Sequence, residues 1–232
     1  MNLAIVQARM SSTRLPGKVL APVHGRPMIL QQLARLAQCA QIDTLVVATS
    51  TDATDDALAA ALAAEGVEVR RGPLADVAER FRRVIEEFAP QTVIRLTADC
   101  PLCDPEVIDR VIVEHTASGA DYTSNVIRRT YPQGLDVECF TPAAFERLTA
   151  SDMTPDEREH VTLGMYSRPD EFTLHSVTQP DDLSAHRWTV DRPDDLEFVR
   201  AVYDHLADTT PRFRQADILE LLAGHPELEH TN

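Results

Sequence analysis

Leu3-Ala4-Ile5-Val6-Gln7-Ala8-Arg9-Met10-Ser11-Ser12-Thr13-Arg14-Leu15-Pro16-Gly17-Lys18 is the stretch on which the reading of this chain turns. The apolar run at 3–7 has the length and composition of a buried strand, and no basic segment precedes it, so it does not read as a signal peptide. It passes straight into a polar loop, 9–18. From Ala8 to Lys18 the chain carries three cations, three hydroxyls and one glycine. Arginine forks and a lysine point charge suit phosphate oxygens, and loop amides add further donors. Taken alone, such a loop can also be solvated basic surface.

Working outward, the same alternation recurs. A helix is expected over 27–39, a strand at 44–49, and a helix at 54–65 whose Asp55 and Asp56 suit its positive end. A short strand at 67–69 precedes a helix at 75–88 with Val77, Phe81, Val84, Ile85 and Phe88 on one stripe. A strand at 92–97 ends at Asp99-Cys100-Pro101, and a helix opens at Pro105 and runs to about 118. This order predicts an α/β fold: a mostly parallel sheet covered by helices on both faces. Ligands of such sheets bind beyond the carboxyl ends of the strands, so the loop after residue 7 and the turn at Asp99 should share one rim.

From about Tyr122 the pattern loosens. Strands are expected at 135–140, 172–178 and 187–190, and helices at 155–167, 194–207 and 214–223. The whole of 1–232 reads as a single domain, with 130–185 as a β-rich excursion that covers the site or makes a dimer contact.

The 232 residues are enough to bury roughly 70% of the extended chain's surface. Hydrophobic residues at 44% and charged residues at 25% exclude disorder as the main state. No run approaches the roughly 20 apolar residues that span a bilayer, so the expected location is the cytoplasm. The balance of 22 basic and 37 acidic residues gives −15, which disfavours nucleic-acid and anionic-membrane surfaces. Residues 1–42 nevertheless contain Arg9, Arg14, Lys18, Arg26 and Arg35 and no acid, and Lys18 is the only lysine in the chain. That lysine points to a site. Cys39, Cys100, Cys103 and Cys139 do not form a disulfide framework; Cys100 and Cys103 have C-x-x-C spacing without the second pair a zinc site needs.

Three further constellations stand out. Asp99 follows a buried strand and is locked by Pro101, which would present its carboxylate at the rim, although aspartate also favours turns. In Arg187-Trp188-Thr189-Val190-Asp191-Arg192-Pro193-Asp194-Asp195, the helix dipole accounts for Asp194 and Asp195 but not for Asp191. Two strand-end carboxylates and a cationic loop are what a magnesium-dependent reaction on a nucleoside triphosphate requires. Gln133-Gly134-Leu135-Asp136-Val137-Glu138 and Glu157-Arg158-Glu159-His160-Val161 could contact an acceptor, although a helical histidine is more often packed or simply exposed. There is no P-loop, no G-x-G-x-x-G, no HExxH and no G-x-S-x-G.

Together these motifs resemble the cytidylyltransferases that activate acidic sugars, with the acylneuraminate, 3-deoxy-manno-octulosonate and spore-coat polysaccharide enzymes as branches. The opening 8–18 is similar to the latter two branches. Arg95-Leu96-Thr97-Ala98-Asp99-Cys100-Pro101-Leu102, Tyr131-Pro132-Gln133-Gly134-Leu135-Asp136-Val137-Glu138, Arg158-Glu159-His160-Val161 and Trp188-Thr189-Val190-Asp191 resemble the spore-coat branch. Where the octulosonate enzymes carry Gln-Gly-Asp-Glu-Pro, this chain has Thr97-Ala98-Asp99-Cys100-Pro101.

The resemblance implies a Rossmann-like three-layer α/β/α nucleotidyltransferase domain that transfers CMP from CTP to an anionic sugar acceptor, as a homodimer. It implies nucleotide contacts from Ala8, Arg9, Ser11, Ser12, Arg14, Lys18, Thr49 and Asp99, with Arg9, Lys18 and Asp99 catalytic. It implies Mg²⁺ on Asp99 and Asp191, and acceptor contacts from Gln133, Asp136, Glu138, Glu159 and His160. A nucleotide-sugar glycosyltransferase is one alternative, but the nearest approach to its usual Asp-x-Asp is Asp136-Val137-Glu138. A non-catalytic CTP-binding protein is the other.

Overall fold

The computed structural model describes residues 1–228. Strand β1 (Asn2–Gln7) leads through the polar loop to a two-residue hairpin, β2 (Pro22–Val23) and β3 (Arg26–Pro27), and then to helix α1 (Met28–Leu36). β4 (Thr44–Ser50), α2 (Asp56–Ala64), β5 (Val69–Gly72), α3 (Val77–Phe88), β6 (Thr92–Thr97) and α4 (Pro105–Ser118) continue the alternation. Local chemistry sets these bounds. Asp76 and Asp104 accept the Glu79 and Glu106 amides at the starts of α3 and α4. Pro105 opens α4 and Gly119, in the left-handed region, ends it.

Beyond α4 come β7 (Tyr122–Ser124), β8 (Glu138–Phe140), α5 (Pro142–Thr149), α6 (Pro155–His160), α7 (Leu163–Tyr166), β9 (Leu174–Ser176), α8 (Pro193–Leu206) and α9 (Gln215–Gly224). The sheet order is β5-β4-β1-β6-β8-β7-β9. β4, β1, β6 and β5 pair in parallel, while β8 runs antiparallel to both of its neighbours. Period-two alternation divides the strand residues between two cores. Ala4, Val6, Val47, Ile94 and Leu96 pack with α1, α2, α4, α8 and α9. Leu3, Ile5, Val46, Val93 and Phe140 pack with α3, α5 and α7. The architecture is the three-layer α/β/α arrangement with a mostly parallel sheet.

The parallel half matches expectation closely, except that the short strand sits at Val69–Gly72 rather than 67–69. The later region differs more. The 135–140 strand is reduced to Glu138–Phe140 because the Asn125 side chain takes the Leu135 carbonyl and the Val137 amide. The 155–167 helix is two helices divided at Val161, whose φ is 50°. No strand forms at 187–190; that segment makes one bridge, Gln133 to Arg187. β7 and α5 were not anticipated. The 130–185 stretch supplies β8 to the interior of the sheet and α5 and α7 to its second layer.

Candidate functional site

The register Gln7↔Thr97 makes β1 and β6 finish level. Pairing continues one residue further, with the Ala98 amide donating to the Gln7 carbonyl and the Ala8 amide to the Ala48 carbonyl. Arg9 and Asp99 therefore leave the sheet side by side. The loop from Arg9 then folds back on itself. The Gly17 amide donates to the Met10 carbonyl at 2.9 Å, in a left-handed turn (φ 74°) that glycine enters without strain. The fully buried Asp55 fixes the loop from below, accepting the Met10 amide at 2.7 Å and the Ser50 amide at 3.1 Å.

That fold returns Lys18 to the rim. Its side chain is 9% exposed, and its ammonium donates to the Val190 carbonyl at 2.5 Å, to Asp191 Oδ1 at 3.1 Å and to Asp99 Oδ2 at 3.4 Å. All three of its protons are thereby placed. The segment bearing Asp191 is tied to Asp99 through the backbone: the Val190 amide and the Thr189 hydroxyl both donate to the Asp99 carbonyl, at 2.8 and 3.2 Å. Arg14 and Arg187 reach Asp191 Oδ2 at 2.9 and 3.0 Å. Burial works to raise the Asp191 carboxyl, but the Lys18 charge and the Lys18 and Arg187 hydrogen bonds outweigh it and hold it below its ordinary value. Two carboxylates facing one point repel unless a cation lies between them, so the site is built around positive charge.

A cavity of about 290 Å³ opens here. Gln7, Ala8 and Arg9 line it from the end of β1, and Ser12, Thr13, Arg14, Lys18 and Val19 from the loop. Thr97, Ala98 and Asp99 line it from the end of β6, and His160 and Asp191 complete it. His160 reaches it through a tight reversal: the Thr162 amide donates to the His160 carbonyl at 2.5 Å, with Val161 fully buried at positive φ. A β-branched residue holds that conformation only when its surroundings impose it. Arg9 Nη2 meets Glu159 Oε1 at 3.1 Å, linking the loop to α6.

The structure thus gathers Ala8, Arg9, Ser12, Arg14, Lys18, Asp99, Asp191 and His160 around one cavity, with Glu159 beside it. Other candidates stand apart. Ser11 does not line the cavity. Thr49 is fully buried, because strand alternation gives it the face of Val47, under α2. Gln133 Oε1 accepts from Arg187, and Asp136 forms a bidentate pair with Arg129 at 2.6 and 2.9 Å. Glu138 is buried against Arg95 and also accepts from Tyr122 and Thr162, at 2.5 and 2.7 Å. Its oxygens serve the sheet, not an acceptor. The Asp136-Val137-Glu138 sequence therefore presents no open pair of carboxylates of the glycosyltransferase kind.

Burial pushes the Cys103 thiol up to about 12 and raises that of Cys100 well above its usual value, so both stay protonated at neutral pH. Sequence reasoning missed the structural duties of Asp55 and Asp195, since acids in a first helical turn already have an explanation. Gln7 and Thr97, polar residues ending buried strands, were the available signal for the floor of the cavity.

A family model described as cytidylyltransferase matches residues 3–218. The chain is 35% identical to the spore coat polysaccharide biosynthesis protein SpsF of Bacillus subtilis (strain 168), over 97% of this chain and 95% of that one. It is 28% identical to a 3-deoxy-manno-octulosonate cytidylyltransferase of Anaeromyxobacter dehalogenans (strain 2CP-C), covering 85% and 96%. A solved cytidylyltransferase from Leptospira borgpetersenii serovar Hardjo-bovis (strain JB197) superimposes with a TM-score of 0.93 at 28% identity, covering 98% and 95%. A CMP:2-keto-3-deoxy-manno-octonic acid synthetase complexed with CTP shares the fold, with a TM-score of 0.69 at 17% identity over 88% and 98%.

Proposed function

The chain belongs to the cytidylyltransferase family and is a nucleotidyltransferase; from that premise we propose that it transfers CMP from CTP to a hydroxyl of an acidic sugar, of the nonulosonic or 3-deoxy-sugar acid type. The product would serve cell-surface polysaccharide or glycan synthesis. One observation carries the reading: Lys18 Nζ lies 3.4 Å from Asp99 Oδ2 and 3.1 Å from Asp191 Oδ1, beside a cavity whose wall is the cationic loop.

The donor set suits a hard divalent ion. Asp99 and Asp191 offer carboxylate oxygens around a point already selected for positive charge. Among the described residues no cluster of three or more histidine, cysteine or carboxylate side chains could hold a metal by itself. Mg²⁺ typically takes one or two carboxylates and shares its remaining positions with phosphates and water. Asp99 and Asp191 would hold it, and when bound it supplies Lewis-acid charge at the phosphates.

The chain's own residues do the rest. Arg9, Ser12, Arg14 and the loop amides grip the triphosphate. Arg14 and Lys18 exchange their carboxylate partners for phosphate oxygens. The acceptor oxygen bonds to the α-phosphorus, the bond to the α–β bridging oxygen breaks, and pyrophosphate leaves with that electron pair. The hydroxyl proton goes to solvent. Lys18 and Arg9 offset the charge that grows during this displacement, where positioned cations contribute most. Glu159 and His160 face the acceptor.

Pyrophosphate release from each of the four nucleoside triphosphates, with Mg²⁺ and a panel of sugar acids, tests the assignment. CTP with at least one acid should react. Binding of CTP without release for any acceptor, or turnover only with a preformed nucleotide sugar, would contradict it.

A further inference from the structure

Arg187 is 16% exposed and belongs to neither the cationic loop nor the cavity wall, yet its guanidinium joins the cavity residue Asp191 to Asp195 and Gln133 outside it. Nε donates to Asp195 Oδ1 at 3.1 Å. Nη2 donates to Asp191 Oδ2 at 3.0 Å and to Asp195 Oδ2 at 3.3 Å, and Nη1 reaches Gln133 Oε1 at 3.3 Å. Asp195, almost fully buried, also accepts the backbone amides of Asp191 and Arg192 at 2.6 and 2.8 Å.

A helix-capping role explains the two amides. It does not explain why the other edge of the fork is spent on Asp191 and Gln133. We infer that Arg187, braced by Asp195, is a positioning residue that presents Asp191 to a bound divalent cation and ties that carboxylate to the segment starting at Gln133. The inference rests on the proposed reading of Asp191 as a metal ligand.

Asp191 lies on an irregular segment, where no strand ladder fixes its direction, and a lone carboxylate there would rotate freely. Asp195 fixes its backbone and Arg187 its side chain. With Oδ2 held by Arg187, Oδ1 is the oxygen turned toward the point shared with Asp99 Oδ2. The Gln133 end is equally firm. The Gln133 amide donates to the His186 carbonyl and the Trp188 amide to the Gln133 carbonyl. At Gly134 (φ 101°) a Cβ would come within 2.6–2.8 Å of the Trp188–Thr189 backbone. The two segments are packed backbone to backbone, so a shift at Gln133 moves Arg187 and with it Asp191.

Partners that orient metal ligands commonly change metal affinity 10–100-fold when removed. Water-proton relaxation enhancement on titrating the full-length protein with Mn²⁺·CTP reads bound ion independently of turnover. Asp191→Asn should weaken Mn²⁺·CTP binding at least about tenfold, and Arg187→Met by about tenfold. The double variant should match Asp191→Asn alone within about threefold, because Arg187 acts only through Asp191. In turnover, Arg187→Met should raise the Mg²⁺ needed for half-maximal rate by about tenfold and leave the KM for the sugar acceptor within about threefold. Arg187→Lys keeps the charge but cannot bridge Asp195 and Asp191 with a planar fork; it should shift in the same direction and serves where the methionine variant does not fold. Wild-type Mn²⁺·CTP binding in the Arg187 variants, with Asp191→Asn impaired, would overturn the positioning role alone. Unimpaired binding in Asp191→Asn would overturn the metal reading beneath it. Additive losses in the double variant would also overturn the inference, since Arg187 would then act elsewhere.

Discussion

Asp99 and Asp191 meet at one ammonium but are delivered by regions built on different principles. Asp99 stands at the end of β6, the product of a parallel ladder whose strands are buried on both faces and paired residue by residue from Asn2↔Thr92 to Gln7↔Thr97. Asp191 ends a segment with no regular strand, held by single backbone bonds to Asp99 and Gln133 and by the side chains of Lys18, Arg14, Arg187 and Asp195. The first arrangement is written in apolar periodicity and tolerates exchange of one apolar residue for another. The second is written in single polar contacts.

Lys18 bridges the two regions. Lys18→Ala should lower turnover by about 10²–10³, the scale of losing one strong transition-state donor. Steady-state kinetics at saturating CTP would show it, and wild-type-like turnover would remove Lys18 from the mechanism. Next in size, Gly134→Ala should destabilise the irregular region by about 3 kcal/mol, because a Cβ there meets the Trp188–Thr189 backbone and φ is 101°. A denaturant midpoint unchanged from wild type would show that the backbone contact is not tight.

At another junction His115 of α4 meets the Thr123 hydroxyl of β7 at 2.9 Å. Burial, helped by the charge of His175, pushes the His115 imidazole down to about 4. An unfolded imidazole takes up its proton near pH 6.5, so the unfolded chain binds more protons between these values. Stability is complete above about pH 6.5 and falls as pH drops toward 4, by about 3 kcal/mol in all. His115→Gln should flatten that slope in urea titrations at pH 7 and pH 4.5; an identical slope would assign the loss to other groups. Smallest of all, Arg82→Ala removes surface pairs with Glu79 and Glu86 on the exposed side of α3. It should change stability by less than about 0.5 kcal/mol, and a melting shift of several degrees would show that α3 depends on charge as well as on its apolar stripe.

The same contrast explains what could be read from the residues. The run at 3–7, the stripe from Val77 to Phe88 and the run at 92–97 have the length and periodicity that identify buried strands and an amphipathic helix, and the rim shared by residue 8 and Asp99 follows from their order. β7 is three residues long, too short to show a period, and of the alternating run at 135–140 only Glu138–Phe140 pairs as β8. Their positions depend on Asn125, Tyr122 and Glu138 finding partners far along the chain. Glu138 reads as an acceptor contact because an acid in an alternating strand looks exposed; only the register Arg95↔Glu138 reveals the buried pair. Likewise nothing in the run from Pro155 to Tyr166 announces the reversal at Val161 that brings His160 to the cavity. The lone lysine was legible as a site because it interrupts an arginine-only preference, whereas its partners Asp99 and Asp191, 81 and 173 residues away, are joined to it by topology.

If Lys18, Asp99 and Asp191 serve a single metal–triphosphate, a divalent-ion titration of CTP turnover in Asp99→Asn and Asp191→Asn shows it most directly. Both variants should require much more Mg²⁺ for half-maximal rate and reach a far lower ceiling, each resembling the other. Titration curves that overlay wild type for either carboxylate would contradict it.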